Sequence, residues 1–152
     1  SLANFYYRNR TEYIDRLTEV RFRSNGDLTA FVLFALEGLV SELESVHHDI
    51  IQMVKVMAFR DYAREVLESV PKLGVVRRDR MLEVVRRLSA IDLGMRSRPP
   101  TDATDVVAAI YRGVGDRTIR RDLNLLLEHE LIIERDSLPA ANVPIMDEFT
   151  PD

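Results

Sequence analysis

Apolar residues recur at helical spacing along most of the chain, and the breaks in that pattern divide it into elements. From about Asn4 to Arg23, Phe5, Ile14, Leu17 and Val20 follow the period of a helix, and neither Gly nor Pro interrupts them. Ser24-Asn25-Gly26-Asp27 is a turn cluster, with Asp27 placed to cap whatever follows. From Leu28 to Val70 there is no Pro and only one Gly, Gly38. Phe31, Phe34, Leu39, Leu43, Val46, Ile50, Val54, Ala58 and Leu67 keep steps of three and four through most of that length. Two readings stand open: one very long helix, or two helices broken near His47-His48-Asp49. At 1.5 Å per residue the unbroken helix would extend roughly 60 Å, longer than a domain of this size needs. It would therefore call for company from another subunit or from another part of the protein.

Pro71-Lys72-Leu73-Gly74 ends this run and is the best boundary, dividing residues 1–70 from residues 71–152. Beyond it, Met81, Leu82, Val85, Leu88 and Ile91 mark a helix ending near Gly94, and Arg96-Ser97-Arg98-Pro99-Pro100 reads as a loop. Thr101-Asp102-Ala103-Thr104-Asp105 offers capping side chains for a short helix carrying Val106, Val107, Ala109 and Ile110. Arg112-Gly113-Val114-Gly115 is a turn before a helix from about Asp116 to His129. Leu131 to Arg135 predicts a strand, Asp136 to Asn142 a turn region, and Val143 to Phe149 a second strand. Short helix, tight turn, longer helix and strand pair is the order of a winged helix-turn-helix. The expected fold is therefore mainly α: a long helical hairpin over residues 1–70, then a winged helix-turn-helix domain with a small β wing.

Composition narrows the functional classes. The 152 residues hold 21 basic and 25 acidic side chains, a net charge of −4, which excludes a wholly basic nucleic-acid binder but leaves room for a local basic face. Residues 1–70 carry 8 basic against 11 acidic residues, whereas residues 71–136 carry 13 against 11. Only Lys55 and Lys72 are lysines; the other basic residues are arginines, whose planar fork suits carboxylate and phosphate alike. The absence of Cys removes disulfides, thiolate metal sites and a Cys nucleophile. No apolar run approaches the roughly 20 residues of a bilayer span, and the arginines of residues 1–23 replace the apolar block of a secretory signal. The expectation is a cytoplasmic protein with no membrane partner.

Two stretches resemble known families. The words Thr118-Ile119-Arg120-Arg121-Asp122-Leu123-Asn124, with the closing Leu131-Ile132, resemble the recognition-helix region of DeoR-type winged-helix regulators over roughly residues 78–149. The pattern departs from that family at Gly115, where a capping Ser is usual, and at Glu130, where a Gly usually ends the helix. Asn9-Arg10-Thr11-Glu12-Tyr13, followed by Gly26-Asp27 and the aromatic-rich run to Gly38, is similar to the C-terminal helices of a Fic-family domain over roughly residues 1–45. That resemblance implies a parent protein that transfers AMP from ATP, with Mg, to a protein hydroxyl. The family's catalytic loop, His-Pro-Phe-x-Asp-Gly-Asn-Gly-Arg, has no counterpart here, where the only histidines are His47, His48 and His129. The chain therefore reads as a non-catalytic C-terminal fragment of such a nucleotidyltransferase, with no cofactor of its own and no catalytic or metal-ligating residue. The missing Fic catalytic core is one expected partner.

Helix geometry supplies the candidate site independently. Ile119, Leu123 and Leu126 share one face of the helix, so Arg117, Arg121, Asn124 and Glu128 project from the other, with Arg120 on its flank. Arg and Asn make bidentate contacts with guanine and adenine edges in the major groove. The expected DNA-contacting set is Arg117, Arg120, Arg121 and Asn124, with Arg135 of the wing reaching phosphate. The competing reading is a solvated face whose arginines pair with Asp116, Asp122 and Glu128, or a protein-docking module. Elsewhere, adjacent His47 and His48 would point about 100° apart on a helix, too divergent to chelate one metal by themselves. The apolar surface of residues 1–70 is expected to drive homo-oligomerisation.

Overall fold

The computed structural model of the protein describes residues 1–22, 26–92 and 103–149. Those residues are mainly helical, with one small antiparallel sheet. The chain divides into two compact units, Ser1–Ile51 and Gln52–Asp152. The turn at Ser24-Asn25, the helix end near Gly94, the loop at 96–100 and the caps at Thr101 and Asp102 lie outside the described residues.

The first unit opens with α1 (Leu2–Arg8) and α2 (Arg10–Phe22), where the sequence pattern predicts one helix. The interruption is at Asn9, whose side-chain amide donates to the Phe5 carbonyl at 3.0 Å. A short amide side chain that competes for backbone acceptors is a known source of helix interruption. Asp27 starts the next helix as expected, accepting from the Thr29 backbone N–H at 2.8 Å and from its hydroxyl at 2.6 Å. These bonds hold the Asp27 carboxyl below its ordinary pKa, the Thr29 hydroxyl being the larger cause.

That helix, α3 (Thr29–Ser69, 41 residues), is continuous through His47-His48-Asp49, so the one-helix reading holds. It stops ahead of Pro71, whose ring disfavours helical geometry at the residue before it. Within the first unit, Phe34 of α3 is buried beneath Phe5, with ring centroids 5.2 Å apart, and Tyr6, Tyr13 and Phe31 extend the cluster. Gly38 is the close-approach point: a Cβ there would collide with the Phe5 ring. Arg8 of α1 pairs with Glu42 of α3 beside it.

The second unit takes the rest of α3 into its own core. Val56, Phe59, Ala63 and Leu67 pack with Met81, Val84, Val85 and Leu88 of α4 (Val75–Asp92). The Pro71–Gly74 turn, where the sequence places its boundary, therefore lies inside this unit, because apolar side chains on both sides of it share one core. Arg60 crosses from α3 to α4, donating to the buried Ser89 hydroxyl at 2.9 Å and to the Arg86 carbonyl at 3.1 Å. The core continues through Val106 of α5 (Ala103–Ile110), Leu126 of α6 (Asp116–Glu128), and Leu131 and Ile132.

A two-stranded sheet follows: β1 (Ile132–Arg135) pairs with β2 (Leu138–Ala141), with Arg135 opposite Leu138 and Ile132 opposite Ala141. Asp136 and Ser137 both take positive φ, 53° and 65°, the geometry of a two-residue hairpin turn matched to strand twist. This corrects the sequence expectation that the second strand runs from Val143 to Phe149. The return begins at Leu138, and Val143–Glu148 is a 3-10 helix with Pro144 in its first turn. Pro139 fits β2 for a geometric reason. Asn142 N–H bonds to the Leu131 carbonyl, so alternation along an antiparallel pair makes Glu134–Pro139 a non-hydrogen-bonded pair that needs no N–H.

Candidate nucleic-acid interface

The turn between α5 and α6 is short and uses glycine where the backbone requires it. Gly113 has φ +80°, and the Val114 N–H closes on the Tyr111 carbonyl at 2.9 Å. Gly115 precedes α6 and supplies no side-chain cap. At the other end, Glu130 N–H donates to the Leu127 carbonyl and Leu131 N–H to the Leu126 carbonyl. That bond pair is the Schellman arrangement, whose residue in the Glu130 position is usually Gly. Glu130 adopts the left-handed conformation all the same, at φ +55°.

Between these ends α6 has two clean faces. Ile119, Leu123 and Leu125 pack against the core and Leu126 lies within it. Arg117, Arg120, Arg121 and Asn124 are all exposed, and among the described residues none of their side chains makes a hydrogen bond or an ion pair. Arg135 is also exposed but stands on a different element, the last residue of β1 beside the hairpin turn. The structure thus gathers four of the five candidate residues on one helix.

The competing picture of a self-paired helix surface fails at Asp122, which is fully buried on the inner face. Arg77 of α4 donates to one carboxylate oxygen, the Arg80 guanidinium lies 3.7 Å from the other, and the Tyr111 hydroxyl donates to that same oxygen at 3.3 Å. Arg80 also stacks on the Tyr111 ring, 5.4 Å from its centroid. Burial raises the Tyr111 hydroxyl above the ordinary phenol range, and the adjacent Asp122 charge pushes the same way against the two arginines. A buried carboxylate is tolerable when cations and hydrogen-bond donors surround it. Here those donors come from α4 and from the end of α5, so one side chain ties three helices together and fixes the angle at which α6 presents its outer face. The inward spacing of Ile119, Asp122 and Leu126 was the available signal; Arg77 and Arg80 carry none in the sequence.

The remaining sites are weaker. His47 and His48 are exposed, and no group of three His, Asp or Glu side chains able to hold a metal occurs among the described residues. No helix among those residues is long and apolar enough to cross a membrane. An open recess on the second unit is lined by Ile133, Glu134, Asn142, Pro144 and Glu148, with carboxylates and apolar edges but no convergent catalytic groups. No protein-family model, no curated protein and no solved structure matches the chain.

Proposed function

We propose that residues 75–149 act as a winged helix-turn-helix that binds double-stranded DNA, with α6 as the recognition helix and the β1–β2 hairpin as the wing. The observation that carries the reading is the outer face of α6: three arginines and an asparagine, exposed and with uncommitted side chains, while Asp122 is turned into the core and the exposed acids Asp116 and Glu128 stand at the two ends of the helix. Arg117, Arg121 and Asn124 would reach base edges, and Arg120 and Arg135 would contact phosphate. The first unit is proposed to be the C-terminal helices of a Fic-type domain, on the strength of the Asn9-Arg10-x-x-Tyr13 and Gly26-Asp27 words. Under that reading the chain itself is non-catalytic. It would recruit or regulate an AMP-transferring core that uses ATP and Mg, through the DNA that its second unit binds.

A salt series tests the DNA reading. Phosphate contacts make log affinity fall with log salt at a slope of about −0.9 per neutralised phosphate. Arg121→Ala is expected to cost roughly 1–3 kcal/mol at a preferred sequence if it reads a base. The net charge of −4 favours a second reading, a protein-docking module. Absence of binding to any fragment of the parent's own promoter region at low salt would leave that one as the better reading.

A further inference from the structure

Helix α3 is apolar on two opposite sides, and only one of them is covered. Phe34 and Gly38 face the aromatic cluster of the first unit. On the far side, Val32, Leu36, Leu39, Leu43, Val46 and Ile50 are each between 43% and 59% exposed. Their spacing is 4-3-4-3-4, a heptad seam with Val32, Leu39 and Val46 at d and Leu36, Leu43 and Ile50 at a, and Met53 and Met57 continue it in the sequence. An alternating 4-3 repeat keeps a stripe facing a second helix that runs alongside it, whereas a stripe laid on a globular surface follows the 3.6 period and drifts.

We infer that this seam is a self-association surface, on which α3 of a second copy of this chain packs as a parallel, in-register coiled coil. Two observations favour a second copy. With Leu33 and Val40 on its flank, half-exposed side chains of this size leave on the order of 600–800 Å² of apolar surface per copy, about what each partner buries in a stable complex. The flank of the seam is apolar where the parallel register needs it. Position g of one helix faces position e of the next heptad on its partner. That register sets Ala35 against the second copy's Val40, while Glu42, the next g residue, is already held by Arg8 and the Ser1 ammonium of its own copy. The inference stands apart from the DNA reading, since none of its residues belongs to the proposed interface.

The test is sedimentation equilibrium on the full chain, with two variants. The wild type is expected to form a dimer at micromolar concentration. Leu39→Glu/Leu43→Glu alters side chains already exposed in one copy, so it should keep its helical circular dichroism while weakening dimerisation at least a hundredfold. Leu43→Cys places a thiol in a chain that has no other. Under mild oxidation it should form a disulfide-linked dimer, because equivalent a positions meet only in the parallel register. A wild type that stays monomeric at a hundredfold higher concentration, or a double glutamate variant that associates unchanged, would overturn the seam. Dimers in which Leu43→Cys does not cross-link would overturn the parallel arrangement.

Discussion

Replacing Asp122 by Ala removes one carboxylate and strands three groups. The Tyr111 hydroxyl loses its acceptor in a buried setting, a loss of about 1–3 kcal/mol. Arg77 and Arg80 lose their counter-charge, and breaking a buried pair costs about 3–5 kcal/mol when the survivor has no access to water. Their side chains keep 24% and 22% exposure, so water takes up part of the released donors and the upper figure does not apply in full. The expected total is about 3 kcal/mol, lowering the melting temperature by roughly 6–12 °C in a chain of this length. Urea melts at neutral pH, followed by far-UV circular dichroism, measure it in the transition of the second unit. Arg121→Ala is the control: exposed and uncommitted, it should stay within about 0.5 kcal/mol of wild type. A loss below about 1 kcal/mol for Asp122→Ala would refute the claim that this carboxylate holds α4, α5 and α6 together.

Two further outcomes follow from the backbone and from the charges of α4. Glu130 occupies a left-handed position that suits glycine, so Glu130→Gly should stabilise the second unit by about 1 kcal/mol in the same melts, and a destabilisation would show that its side chain matters more than its φ. Glu83 is held at a pKa of about 2, against an ordinary 4.5, first by the hydrogen bond from Arg86 and also by Arg87. Its contribution is complete above about pH 4.5 and fades as pH falls towards 2; acid melts of wild type and Glu83→Gln should therefore converge over that window, and parallel curves would contradict the assignment.

The sequence carried the helices well because their evidence is repeated along the chain. The periodicities of α3 and of α6, which follows the Gly113–Gly115 turn, are each supported by many residues, and Asp27 marks its helix start by an ordinary capping preference. What it hid depends on single residues or on distant partners. The break between α1 and α2 rests on one residue, Asn9, whose backbone leaves helical geometry while its side-chain amide joins its N–H on the Phe5 carbonyl, and the hairpin turns on Asp136 and Ser137 accepting positive φ without any Gly to announce it. Pro139 disfavours a strand in the Asp136–Asn142 stretch when only the sequence is read, whereas the ladder places it opposite Glu134 in a pair that asks for no N–H. The outward set Arg117, Arg120, Arg121 and Asn124 was legible from helix geometry alone. Only the competing self-paired reading sets Asp122 at the surface, because its partners lie on α4 and at the end of α5, where no local pattern points to them.

The most direct test of the proposed α6 interface compares wild type with Arg117→Ala/Arg120→Ala/Arg121→Ala by fluorescence anisotropy on a labelled duplex from the promoter region of the protein's own gene, at low salt. The three arginines make no contact that the fold depends on, so both proteins should melt alike. The account predicts saturable binding by wild type and at least a hundredfold weaker binding by the variant, in keeping with the loss of two or three phosphate or base contacts. Equal affinity of the two proteins, or no binding by either, would contradict it.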